Sequence, residues 1–282
     1  VILLLLFVAV LMWRDTAIIH YSSVFFCLVM LVGALLVDVA IFFWIPPHNL
    51  ANCYLFAWFA AVGACLLVGA LLLKTFRLAM IARAQRKMRV VLIPLSNVNL
   101  ALVLLVLLAV NVLLLCVFSF VDQPETKRVY SDLFAYYLSC DISTASVVAA
   151  SVLVGLYGVL LLVCCTFTFT ARSLPVVFDE STPIFLSCYN MVVSMALIVP
   201  LLILLDDYTA KVVVAAVGAM AFGPGTALLI FVPKVFVLLT GKNGSQPHAE
   251  YDTRSAEMRT PRSGVSVSAM NSHSPTTGSS SV

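Results

Sequence analysis

Of 282 residues, 62% are apolar and 10% are charged, against about 45–50% and 25% in an ordinary water-soluble domain. Apolar surface on this scale cannot all be hidden in a soluble core, so that class is excluded. The formal net charge of +3 says little by itself; the placement of the charges carries the information, and no nucleic-acid partner is expected.

Apolar runs of about 18 or more residues read as membrane helices. The first run, Val1–Trp13, is too short to cross a bilayer. It lacks the basic lead and small-residue cleavage site of a signal peptide, so it is expected to be the end of a first span whose beginning is missing. Six complete spans follow: Ser22–Ile45, Cys53–Leu73, Leu100–Val121, Ser146–Phe169, Ile184–Leu205 and Val212–Val232. The expected fold is an all-α membrane protein, a seven-transmembrane helix bundle over residues 1–240 with its first helix truncated. Residues 241–282 are rich in Ser, Thr and Pro with no apolar run, which predicts a disordered cytoplasmic tail. Its last residues, Ser280, Ser281 and Val282, suit a PDZ domain that adds a terminal strand, a short match that chance often supplies.

Loop charge orients the bundle, because short cytoplasmic loops collect Lys and Arg. After the third span come Lys74, Arg77, Arg83, Arg86, Lys87 and Arg89 with no acid among them. The loops on the opposite side hold Lys127, Arg128 and Lys211 among six carboxylates. The basic stretch is therefore expected inside, the amino end outside and the carboxyl end in the cytoplasm, in a multi-pass protein of the plasma membrane.

Several membrane functions lose their chemistry on this map. A retinal-binding lysine deep in the last span is missing, since Lys234 follows Pro233 at the cytoplasmic end. A transporter would show repeats and several mid-membrane ionisable groups, and Asp38 is the one such residue that the spans contain. His20, His48, His248 and His273 all fall outside the spans, so no catalytic or metal site can be assembled, and neither enzyme activity nor a cofactor is expected. Asp38 costs roughly 2.5–3.5 kcal/mol at a helix centre unless paired, so Asn111 or a hydroxyl is expected to bond to it.

Motifs add a resemblance. "LLLKTFRLAMI" ending span three, "CYNMVVSMALIVP" in span six with Tyr189, Asn190 and Pro200, and "FVPKVFVLL" after span seven resemble the class C G-protein-coupled receptors. "LLVDVAIFF" with Asp38, and "NVLLLCVFSFVDQPE" with Asp122 and Pro124, resemble the metabotropic GABA-B type within that class, over about Arg14 to Leu239. Asn111 stands where GABA-B receptors often carry an acid.

The resemblance implies a disulfide between Cys53, opening span three, and Cys140, in the second extracellular loop; two free thiols is the alternative. Cys27, Cys65, Cys116, Cys164, Cys165 and Cys188 lie within spans, where a thiol usually fills space. An ionic lock between Lys74 and Glu180 is implied likewise, with Asp179 able to substitute; alternatively Lys74 only snorkels its amine to the membrane boundary. Arg77, Arg83, Arg86, Lys87 and Arg89 then become contacts for a heterotrimeric G protein, besides attracting anionic membrane lipid at about 1 kcal/mol each. The implied function is transmission of an extracellular signal to that G protein, by a homo- or heterodimer with another class C subunit. A subunit that assembles or traffics a partner without signalling is the main competitor, and a transporter a weaker one.

Overall fold

The computed structural model describes residues 2–12, 24–44, 50–87, 97–121, 125–130, 136–141, 144–171, 178–205 and 207–239. Helices α1 (Ile2–Met12), α2 (Val24–Trp44), α3 (Leu50–Lys87), α4 (Asn97–Val121), α5 (Thr144–Ala171) and α6 (Phe178–Leu204) follow one another. The last span is α7 (Tyr208–Met220), a π-helical turn (Ala221–Gly225) and α8 (Thr226–Leu239), continuous in the chain. Hydrocarbon offers backbone groups no water, so each apolar run must satisfy its own amides, and a helix does this within one segment. Six of these helices are long and apolar enough to span a membrane, and Ile2–Met12 is shorter. The chain is a multi-pass membrane protein built as a seven-helix bundle. It divides into two units, Val1–Phe236 and Val237–Val282, and the bundle packs within the first.

Two features depart from the sequence reading. The third helix does not stop where its basic stretch begins but continues through Lys87, because "TFRLAMIARAQRK" contains neither Gly nor Pro and is made largely of strong helix formers. Between α4 and α5, in place of a plain loop, an antiparallel hairpin pairs β1 (Glu125–Tyr130) with β2 (Tyr136–Asp141), from Glu125 opposite Asp141 to Tyr130 opposite Tyr136. Thr126, Val129, Tyr130, Tyr136 and Tyr137 are of the β-branched and aromatic types that suit strands.

Helix α3 is the hub: it packs on α2, α4, α5 and α6. Leu67, Val68, Ala70 and Leu71 are all buried, as a helix surrounded on every side requires. Its widest contact is with α2, and two glycines make it possible. A Cβ on Gly63 would sit 2.8 Å from the Gly33 carbonyl oxygen and 2.9 Å from the Val37 nitrogen; one on Gly33 would meet the Leu67 nitrogen at 2.8 Å. The two backbones touch, which is how helices gain dispersion energy where no hydrophobic drive separates them from lipid. Stacked Phe43 and Phe59 rings, 5.4 Å between centroids, and Trp44 against Phe56 at 4.4 Å extend the same seam. On the outward faces of α4, α5 and α6, Leu105, Leu113, Phe120, Leu162, Phe169, Leu197 and Ile203 are exposed, the surface that lipid covers.

In the last span Pro224 falls inside the π-turn, since its missing N–H breaks the regular ladder. Asn190 on α6 compensates: its Nδ2 donates to the Ala221 carbonyl at 2.7 Å and to Thr226 Oγ1 at 3.2 Å. Thr226 in turn donates to the Phe222 carbonyl at 2.6 Å. The Asn of the "CYNMV" motif therefore ties α6 to the irregular turn. At the start of α7, Asp207 caps the helix by accepting from the Thr209 and Ala210 amides, both at 3.3 Å.

Candidate functional site

Four helices bring polar and sulfur-bearing side chains together where the apolar part of α3 gives way to its basic part. Lys74 is 8% exposed, so it is packed inside the bundle. The candidate span on α3 runs on to Met80, and Thr75 and Ala79 beyond Lys74 are buried as well. Lys74 Nζ donates to Cys27 Sγ on α2 at 3.3 Å. Next to it, Thr75 donates back to the Leu72 carbonyl at 2.8 Å, and its Oγ1 lies 3.4 Å from Cys164 Sγ on α5. Cys164 Sγ is 2.9 Å from Cys188 Sγ on α6. Thr168 donates to the Cys164 carbonyl at 2.5 Å and, at 3.9 Å, to Cys188 Sγ. Phe76 meets Phe167 edge to face at 5.5 Å and helps seal α3 against α5.

The other expected site residues are distributed as follows. Arg77, one turn past Lys74, is half-buried, and Arg83 is exposed. Arg86 and Lys87 are on the last turn of α3 with side chains outside the described residues, and Arg89 lies outside them altogether. Glu180 and Asp179 fall in the first turn of α6, and their side chains also lie outside the described residues. Cys53, in the first turn of α3, is disulfide-bonded, whereas Cys27, Cys65, Cys116, Cys164, Cys165 and Cys188 are in no disulfide. Cys140 is on β2, opposite Thr126. The tail, with Ser280, Ser281 and Val282, lies outside the described residues.

A second polar cluster sits deeper between α3, α4 and α5. Tyr157 donates to the Ala61 carbonyl at 2.8 Å and to Asn111 Oδ1 at 2.7 Å, a hydroxyl proton shared between two acceptors. Asn111, 1% exposed, thus takes Tyr157 and not Asp38 as partner. Asp38 Oδ1 and Asn111 Nδ2 are buried without a hydrogen-bond partner among the described residues. Sequence reasoning missed Tyr157, although a lone tyrosine and a lone asparagine inside apolar runs each demand a partner. Tyr157→Phe is expected to cost about 1 kcal/mol, lowering the thermal midpoint of the purified protein by roughly 2–4 °C; an unchanged melting curve would remove this cluster from the stability of the bundle.

The comparisons with known proteins are consistent with this architecture. A family model described as the 7 transmembrane sweet-taste receptor of 3 GCPR matches residues 1–234. The metabotropic glutamate receptor-like proteins M and K of Dictyostelium discoideum are 23% identical over 86% of this chain and 24% identical over 90% of it. Protein E of the same series is 26% identical over 84%. The chain spans 33%, 36% and 29% of these relatives' lengths, about a third of each.

Proposed function

We propose, on the premise that this chain belongs to the seven-transmembrane family of class C G-protein-coupled receptors, that it relays an extracellular event to a heterotrimeric G protein through the inner end of α3 and α6. The observation that carries this reading is Lys74: a cation held inside the bundle at the head of a basic helical extension that reaches Lys87. An ammonium withdrawn from water needs compensation, and Glu180 or Asp179, opening α6, would supply a carboxylate at rest. Parting of that pair would let α6 shift and uncover Arg77, Arg83, Arg86, Lys87 and Arg89 for the partner. Orientation follows from the same basic stretch facing the cytoplasm, with the amino end outside. Cys53 would pair with Cys140, tying β2 to the start of α3 on the outer side.

Within the class, the GABA-B branch fits best, on Asp38 together with Asp122 and Pro124. Dimerisation with a second class C subunit accompanies this reading.

Reversing two charges on the extension tests it. With the receptor in membranes and a purified heterotrimer, Arg83→Glu combined with Arg86→Glu is expected to slow nucleotide exchange about tenfold, equivalent to roughly 1.4 kcal/mol of lost contact. Exchange unaffected at equal surface expression would favour a subunit that assembles a partner without coupling.

A further inference from the structure

We propose that Cys164 and Cys188 form a reversible redox pair, a thiol couple that a hydroperoxide converts into a disulfide stapling α5 to α6. The two side chains come from neighbouring spans, are 0% and 1% exposed, and are both free thiols. Their sulfurs are 2.9 Å apart, about 0.9 Å more than the roughly 2.05 Å of a disulfide bond, so closing the bond asks for a side-chain adjustment and not for a helix movement. Thiols that only fill space have no need to face each other. This pair does, flanked by the hydroxyls of Thr75, 3.4 Å from Cys164 Sγ, and Thr168, 3.9 Å from Cys188 Sγ. The inference rests on the bundle itself and is independent of G-protein coupling.

The chemistry balances with one hydroperoxide per bridge. One thiol sulfur attacks the terminal peroxide oxygen; the O–O bond breaks, an alcohol or water leaves with the thiol proton, and a sulfenic acid remains. The second sulfur attacks the first, the S–O bond breaks, and the hydroxyl leaves as water with the second thiol's proton. Two thiol sulfurs are oxidised by one electron each and the peroxide is reduced by two. Added dithiol reverses the bridge by exchange. Buried thiols exclude bulky or charged oxidants, whereas a small peroxide or one dissolved in the bilayer can reach them. The bridge would fix α5 against α6 beside Thr75, one residue from Lys74, so the oxidised bundle holds one arrangement of these helices.

The test uses the whole chain in lipid nanodiscs, treated with hydrogen peroxide in one arm and cumene hydroperoxide in the other, then alkylated and digested without reductant. The expected result is a peptide pair joined through Cys164 and Cys188, two hydrogens lighter than the separate thiols and restored by dithiothreitol. The faster arm identifies an aqueous or a bilayer source. Cys165→Ser should keep the link and Cys188→Ser abolish it, with Cys188→Ala as the substitute if the serine variant does not fold. Oxidised wild-type protein should also melt higher than reduced protein. Absence of this cross-link in both arms, or a link made through Cys165 instead, would overturn the pairing.

Discussion

Replacing Gly63 by leucine is expected to be the most damaging single change in this bundle. A Cβ there would lie 2.8 Å from the Gly33 carbonyl oxygen, 2.9 Å from the Val37 nitrogen and 3.0 Å from the Leu36 Cβ. Two of those neighbours are backbone atoms of a rigid helix, so no rotamer change relieves the overlap. Helices α2 and α3 must separate, and α3 carries α4, α5 and α6 with it. Overpacking of this kind costs about 3 kcal/mol, which lowers the thermal midpoint of the detergent-solubilised protein by roughly 6–12 °C and reduces the yield of folded material. Gly155→Leu is the matched control: nothing lies within 4 Å of a Cβ at that position on α5, so its melting curve should stay with the wild type. Equal behaviour of the two variants would mean that the α2–α3 seam is not closed through Gly33 and Gly63.

The second large effect is functional. Lys74→Ala is expected to raise basal G-protein activation about fivefold or more, the scale of a coupling energy of 1 kcal/mol and upward. Alanine removes the buried ammonium and its bond to Cys27 Sγ, and with them the pairing proposed with a carboxylate on α6. The resting arrangement loses an interaction that the shifted one does not need, so the population moves toward the signalling state. Basal nucleotide exchange measured on membranes with matched surface expression checks this. A signal at the wild-type level would leave Lys74 as a structural cation and take away the proposed lock. Lys74→Arg keeps the charge but broadens the head group, and its basal level should fall between the two.

Much of the architecture is legible in composition alone, for a physical reason. A bilayer demands long apolar segments with internally bonded backbones, and no other solvent writes so plain a pattern into a chain. Hence the expected spans coincide with α2, α4 and α5 to within three residues at each end, whereas α6 ends as expected but begins six residues earlier, at Phe178, with Pro183 in its second turn leaving the helix unbroken. Where hydropathy changes, the pattern stops being informative about structure. The polar stretch after Leu73 still forms helix, since a helix needs only good propensity and not apolarity once it leaves the hydrocarbon. The stretch between α4 and α5 pairs as strands, from Glu125 opposite Asp141 to Tyr130 opposite Tyr136, a cross-strand pairing that hydropathy does not report.

The sequence by itself determined the solvent of this protein and the number of its helices, because each of these depends on local composition. Only the tertiary structure decided which residues meet: that Gly33 and Gly63 bring two backbones into contact, that Tyr157 takes the acceptor on Asn111, that Asn190 serves the π-turn, and that Cys164 faces Cys188. Such pairings depend on the rotation and depth of each helix about its neighbours, and in an apolar span of nearly uniform hydropathy no periodic signal reports which face turns inward.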